Sequence, residues 1–140
     1  MKTETFEFTG YQGRSLPACL WLPEGEVTAV LQITHGMTEH MGRYEAFAEY
    51  LCPMGIAVAG FDLRGHGANP GDPEVASFGE GGWAASIEDM QLFYEYLQRR
   101  FQIRDRIGEV IKQQNEMGLM EGAAETAQSW NLICSLFAQI

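Results

Sequence analysis

The feature that most constrains this chain is a repeated ending. Leu31-Gln-Ile-Thr-His35-Gly36 and Ile56-Ala-Val-Ala-Gly-Phe61-Asp62-Leu-Arg64-Gly65-His66-Gly67 each carry an apolar run into a histidine beside glycine. A short apolar run stopped by a glycine turn is the pattern of a buried strand. The segment between the two runs places Tyr44, Phe47, Ala48 and Leu51 at helical spacing and stops at Pro53 and Gly55. Strand, loop, helix, strand and loop make a β-α-β unit, whose two strands lie parallel with a right-handed crossover. A sheet of that kind places its chemistry in the loops beyond its strand ends.

The flanking segments extend the sheet. Thr3–Thr9 alternates polar and apolar residues and stops at Gly10, and Ser15–Leu22 follows after Gly13 and ends at Pro23. The two read as strands joined by a turn. Val27–Thr34 is apolar on both faces, as a buried strand requires. After Gly67, residues 65–82 are punctuated by glycine and proline and read as loop. Trp83–Phe101 reads as a long amphipathic helix through Ile87, Met90, Phe93, Tyr94 and Leu97, with Arg99 and Arg100 suited to its C-terminal end. The order is β-β-β-α-β-α, an α/β arrangement.

Past Phe101 the texture changes. Ile103, Ile107, Val110 and Ile111 keep helical spacing, Gln113-Gln-Asn-Glu is averse to strands, and Gly118 and Gly122 break the run. Ala123, Ala127, Trp130, Cys134 and Phe137 then form the apolar stripe of a last helix. An alternating fold would return here with a buried strand, and none is legible. Residues 1–101 therefore read as one unit and residues 102–140 as a helical tail.

Composition narrows the function classes. A net charge of -10 opposes nucleic acids and anionic membrane surfaces, which call for basic patches. No apolar run is long enough for a transmembrane segment, and the N-terminus lacks a signal peptide's apolar stretch, so a cytoplasmic protein is expected. Cys19, Cys52 and Cys134 are widely spaced and follow neither C-x-x-C nor zinc spacing, and they read as reduced, buried small hydrophobes. No cofactor motif is present.

Two readings stand at the first loop. A tight turn at His35-Gly36-Met37 either aims the Met37 N–H into a cleft, where it would stabilise a developing oxyanion, or is an ordinary strand-to-helix turn with His35 bonded to backbone. His35, Glu39 and His40 match no metal-ligand spacing, so this stretch reads as solvated loop and no metal site is expected. In the second loop Asp62 and His66 suggest an acid–base pair, but the glycines favour a contorted structural turn. That turn comprises Asp62, Arg64, Gly65, His66 and Gly67, pinned by hydrogen bonds or an ion pair from Asp62 and Arg64. Gly118-Leu-Met-Glu-Gly122 has the glycine spacing of a nucleophile elbow, but a Met120 thioether cannot attack a carbonyl.

Thr34-His-Gly-Met-Thr-Glu-His-Met-Gly-Arg-Tyr44 followed by Phe61-Asp-Leu-Arg-Gly-His-Gly67 resembles the α/β-hydrolase superfamily, and within it the monoacylglycerol lipase and lysophospholipase branch. That branch carries H-G-x-x-E-H-x-x-R-Y and then D-x-x-G-H-G-x-S at this separation. Asn69 replaces the usual serine. The resemblance covers roughly residues 1–101 and implies that Met37 is the oxyanion donor on a loop formed by His35 and Gly36.

The resemblance also implies a lipid-like ester substrate, no cofactor, and a Ser-His-Asp triad with its nucleophile in G-x-S-x-G. No such motif is present, no histidine follows His66, no aspartate follows Asp105, and Ser129 and Ser135 lack flanking glycines. No residue of this chain is therefore assigned as catalytic. The expectation is a truncated or fused hydrolase chain, inactive alone. The alternatives are a non-catalytic interaction module, and one half of a split enzyme. In either, a second copy or a complementing chain would meet the open sheet edge and the C-terminal apolar helix.

Overall fold

Alternation along the first strand gives it one covered and one exposed face, and the apolar second strand beside it is buried on both. In the computed structural model, which describes residues 1–69, 78–79, 81–102 and 138–139, strand β1 (Lys2–Thr9) pairs antiparallel with β2 (Ser15–Leu22), from Lys2 opposite Leu22 to Thr9 opposite Ser15. Strand β3 (Ala29–Ile33) leads through the first loop and a 3-10 turn at Met41–Tyr44 to helix α1 (Glu45–Leu51). A second 3-10 turn, Cys52–Met54, ends at Gly55 in the left-handed region, and strand β4 (Ile56–Phe61) follows. Helix α2 (Gly82–Phe101) closes the unit.

The sheet order is β1-β2-β4-β3, with β4 antiparallel to β2 and parallel to β3, as the β-α-β pattern requires. A fifth strand, β5 (Ala138–Gln139), pairs antiparallel with Ala29 and Val30 on the outer edge of β3. This strand departs from the sequence reading, which found no strand after Phe101. Two residues carry no periodicity, and a free strand edge offers backbone donors and acceptors to any extended segment. The expected helices between residues 103 and 137, with the tail stripe of Ala123, Ala127, Trp130, Cys134 and Phe137, lie outside the described residues.

Each face of the sheet is covered. Ala18, Leu20, Val30, Ala57, Ala59 and Phe61 point to α2 and pack on its Met90, Phe93 and Leu97. Cys19, Trp21, Leu31, Ile33 and Val58 point the other way, toward Met41, Ala48 and Cys52. The period-2 register thus divides β2, β3 and β4 between two layers, while one face of β1 stays exposed. Phe47 departs from expectation: it is exposed, because Tyr44 of the preceding 3-10 turn and Ala48 and Leu51 of α1 face the sheet instead. Gly60 explains how the second layer comes so close, since a Cβ there would collide with the Met41 side chain and the Ile33 carbonyl.

Candidate active-site loops

Both predicted loops leave the same end of the parallel pair, because β3 and β4 run side by side from Ala29 opposite Ile56 to Ile33 opposite Gly60. His35 sits two residues past β3 and is buried. The Leu63 N–H donates to its Nε2 at 2.9 Å, and its Nδ1 donates to the Gly36 carbonyl at 2.9 Å. A donor on one side and an acceptor on the other define a neutral ring with its proton on Nδ1. Burial pushes the His35 pKa down, against the opposing pull of the Gly36 carbonyl and of Asp62.

Glu39 organises the rest of this loop. Its Oε2 accepts from the Gly36 N–H at 3.1 Å and from the Tyr44 hydroxyl at 2.8 Å, and Oε1 lies 3.2 Å from Arg43. The Gly36 N–H bond, the Tyr44 hydroxyl and the Arg43 charge hold its carboxyl below the usual range. The Glu39 N–H in turn donates to the Gly36 carbonyl, closing the turn, with Thr38 at φ 62°. The reading of this stretch as solvated loop holds for Gly36, Met37, Thr38 and His40, which are exposed, and is corrected at His35, which is buried. The spacing of His35 and Glu39 within one turn was visible in sequence, but which backbone amide the carboxylate would meet was not.

Met37 stands at the apex of that turn, 67% exposed. With the Gly36 N–H occupied by Glu39, no acceptor among the described residues meets the Met37 N–H.

The second loop is built on Asp62. Its Oδ1 accepts from the Met41 N–H at 2.8 Å and its Oδ2 from the Ala68 N–H at 2.8 Å, so one carboxylate ties the first loop's exit to the second loop's end. Gly67 has φ +56°, and a Cβ there would overlap the Asp62 carboxylate. Gly65 is likewise left-handed at φ +68°. His66 donates from Nδ1 to the Arg64 carbonyl at 2.7 Å, so it is bonded within its own turn and not to Asp62. Its ring lies 5.3 Å from His35 and 5.6 Å from Phe78.

Arg64 reaches away from Asp62 altogether. Its Nε donates to Asp89 Oδ2 at 2.6 Å, and Nη2 donates to Asp89 Oδ1 at 3.1 Å and to the Tyr11 carbonyl at 2.9 Å. The Tyr11 N–H completes the group by donating to Asp89 Oδ1 at 2.7 Å. Sequence reasoning missed Asp89. The available signal was its place on the apolar stripe of α2, four residues after Ala85 and four before Phe93, where an aspartate is buried only with a partner. His40 is exposed and takes no part. Neither of two surface clefts, one beside Pro23, Glu49 and Pro53 and one beside Cys19, Gly42 and Glu45, is lined by Met37.

Residues 25–108, more than half of the chain, match the family model described as serine aminopeptidase, S33. The chain belongs to this α/β-hydrolase family. Monoglyceride lipase of Homo sapiens is 37% identical over 65 residues, covering 46% of this chain and 22% of that protein. Monoacylglycerol lipase of Mycolicibacterium smegmatis is 34% identical over 64 residues, 46% of this chain and 23% of that one. The crystal structure of a thermostable carboxyl esterase from Bacillus coagulans superposes with a TM-score of 0.64 at 24% identity, over 73% of this chain and 34% of the esterase, which is a likeness of fold. The hydrolase chain described here thus spans less than a quarter of the length of these two lipases.

Proposed function

We propose that this α/β-hydrolase chain carries the oxyanion-stabilising half of a serine-type carboxylic ester hydrolase for lipid-like acyl substrates, with the Met37 N–H as the donor. The observation that carries the reading is the Met37 N–H itself, which has no acceptor among the described residues and projects from a turn whose neighbouring Gly36 N–H is already taken by Glu39. A donor fixed before reaction stabilises charge without reorganisation. The similarity to monoglyceride lipases supports an acyl ester as the substrate class.

In this reading residues 1–101 are the functional unit, residues 102–140 a tail outside the family pattern, and the protein is cytoplasmic. Among the described residues no helix is long and apolar enough to cross a membrane. The 140 residues contain no G-x-S-x-G, and no motif match places a triad serine, acid or histidine. An oxyanion donor without a nucleophile accelerates little. The chain alone is therefore expected to hydrolyse a short-chain p-nitrophenyl ester at the buffer rate. Turnover above buffer that survives purification and disappears on mutating Gly36 would show a nucleophile that this reading omits.

A second reading is favoured by the edge of β3. Strand β5 pairs only with Ala29 and Val30, which leaves Leu31–Ile33 without a further strand among the described residues. An interaction module, or a half completed by another polypeptide, would use that edge. Size-exclusion chromatography with light scattering separates the readings: a discrete dimer supports the module, and ester turnover only on mixing with a second chain supports the split enzyme.

A further inference from the structure

We propose that His35 is the positioning residue of the oxyanion loop, a neutral bridge between the two loops that releases the Met37 turn when the ring takes up a proton. The proposal rests on the reading of Met37 as the oxyanion donor, but the bridge itself is a matter of geometry. Leu63 belongs to the loop after β4, and its N–H donates to His35 Nε2 at 2.9 Å. Gly36 immediately precedes Met37, and its carbonyl accepts from His35 Nδ1 at 2.9 Å. One ring therefore joins the second loop to the residue beside the donor, and each nitrogen has a fixed role.

A second proton on this ring has one place to go, Nε2, where it would face the Leu63 N–H. Two donors cannot share a hydrogen bond, so the protonated ring must swing away or Leu63 must move. Either change breaks the link between the loops, and a ring that swings away also gives up the Gly36 carbonyl, leaving it to the Glu39 N–H. The groups acting on the ring are Asp62 at the end of β4, Glu39 on its own loop and His66 in the following turn. The two carboxylates favour the charged ring and His66 opposes it, but burial outweighs both carboxylates and keeps His35 neutral below its ordinary value of 6.5.

The direction follows from linkage. A histidine held neutral in the closed arrangement and free to charge in the open one stabilises closure fully above about pH 6.5. Below that value the open population grows about tenfold for each pH unit, until the pKa of the closed form is reached. Glu39 still holds the Gly36 N–H, so the release concerns the orientation of the turn and not its complete loss.

The test uses the full 140-residue chain and needs no substrate, so it stands apart from any failure to find ester hydrolysis. Amide hydrogen exchange is followed by NMR from pH 7.5 to 5, corrected for intrinsic rates. The Leu63 protection factor should fall as the pH drops below about 6.5, and the Met37 amide shift should move with the same midpoint as the His35 ring. His35→Gln keeps an acceptor and a donor but cannot titrate in this range, and its Leu63 protection should stay flat. Should that variant fail to fold, the imidazole nitrogen shifts of the wild-type chain decide: a proton on Nδ1 at neutral pH is expected. A proton on Nε2, Leu63 protection that stays constant while His35 titrates, or a His35→Gln chain with the wild-type pH response would each overturn the proposal.

Discussion

The Arg64 guanidinium grips the Asp89 carboxylate with two hydrogen bonds, at 2.6 and 3.1 Å, and both side chains are buried. The pair joins the loop after β4 to the middle of α2, and Tyr11 joins it through both its N–H and its carbonyl. Asp89→Ala removes the carboxylate that faces a buried guanidinium, and removing one member of such a pair costs about 3–5 kcal/mol. Urea denaturation should show that loss, while the double change Arg64→Met with Asp89→Leu should recover most of it, because no charge then remains buried. Equal losses in the single and double variants would mean that the pair contributes through packing alone.

Gly67 and Gly13 both lie in the left-handed region, at φ +56° and +75°, but their surroundings differ. A Cβ at Gly13 meets nothing within 4 Å, whereas one at Gly67 would overlap the Asp62 carboxylate. Gly13→Ala should therefore cost only the left-handed penalty of about 1–2 kcal/mol. Gly67→Ala carries the same penalty and must also displace Asp62 from the Met41 and Ala68 amides, so its midpoint in urea should fall well below that of Gly13→Ala.

Strands β2 and β4 were legible to the residue because apolar runs end there at clear polar, glycine or proline stops, as at Leu22 before Pro23. Helix α1 was legible in place but not in facing. Seven residues make two turns, and over that length Phe47 satisfies the spacing as well as Ala48 does. At the site, the two loops and their shared end of the sheet followed from the histidine–glycine pattern. Their wiring did not. Arg64 pairs with Asp89, while Asp62 takes up two backbone amides that no sequence pattern announces.

The buried thiols carry a prediction about pH. Burial pushes the Cys19 pKa up to about 12, with a further rise from Asp62 and Glu45, and burial also raises that of Cys52. At pH 8 neither offers appreciable thiolate, so the folded chain should titrate with an aromatic disulfide reagent at no more than one of its three cysteines. A raised acid pKa stabilises the fold below the ordinary value and withdraws that contribution above it. Stability should accordingly decline between about pH 9 and 12 as the unfolded thiol ionises first. Rapid reaction of Cys19 at pH 8 would contradict the packing of β2 against the second layer.

Asp62 offers the sharpest test of how the two loops are held together. Its oxygens accept from the Met41 and Ala68 amides, and its own N–H donates to the Pro17 carbonyl. The last bond is backbone and survives any substitution of the side chain. Asp62→Ala strands the buried Met41 amide, at about 1–3 kcal/mol, and leaves the more exposed Ala68 amide to water at a smaller cost. Asp62→Asn keeps one acceptor and turns an NH2 toward the other amide, so it should lose roughly half as much. Denaturation at pH 7 ranks the two variants. The order wild type, Asn, Ala is expected, because the Met41 amide anchors the methionine that sits on Gly60, and a loop freed there loosens the second layer of the core. An Asn variant as unstable as the Ala variant would place the contribution of Asp62 in its charge and not in its two acceptors.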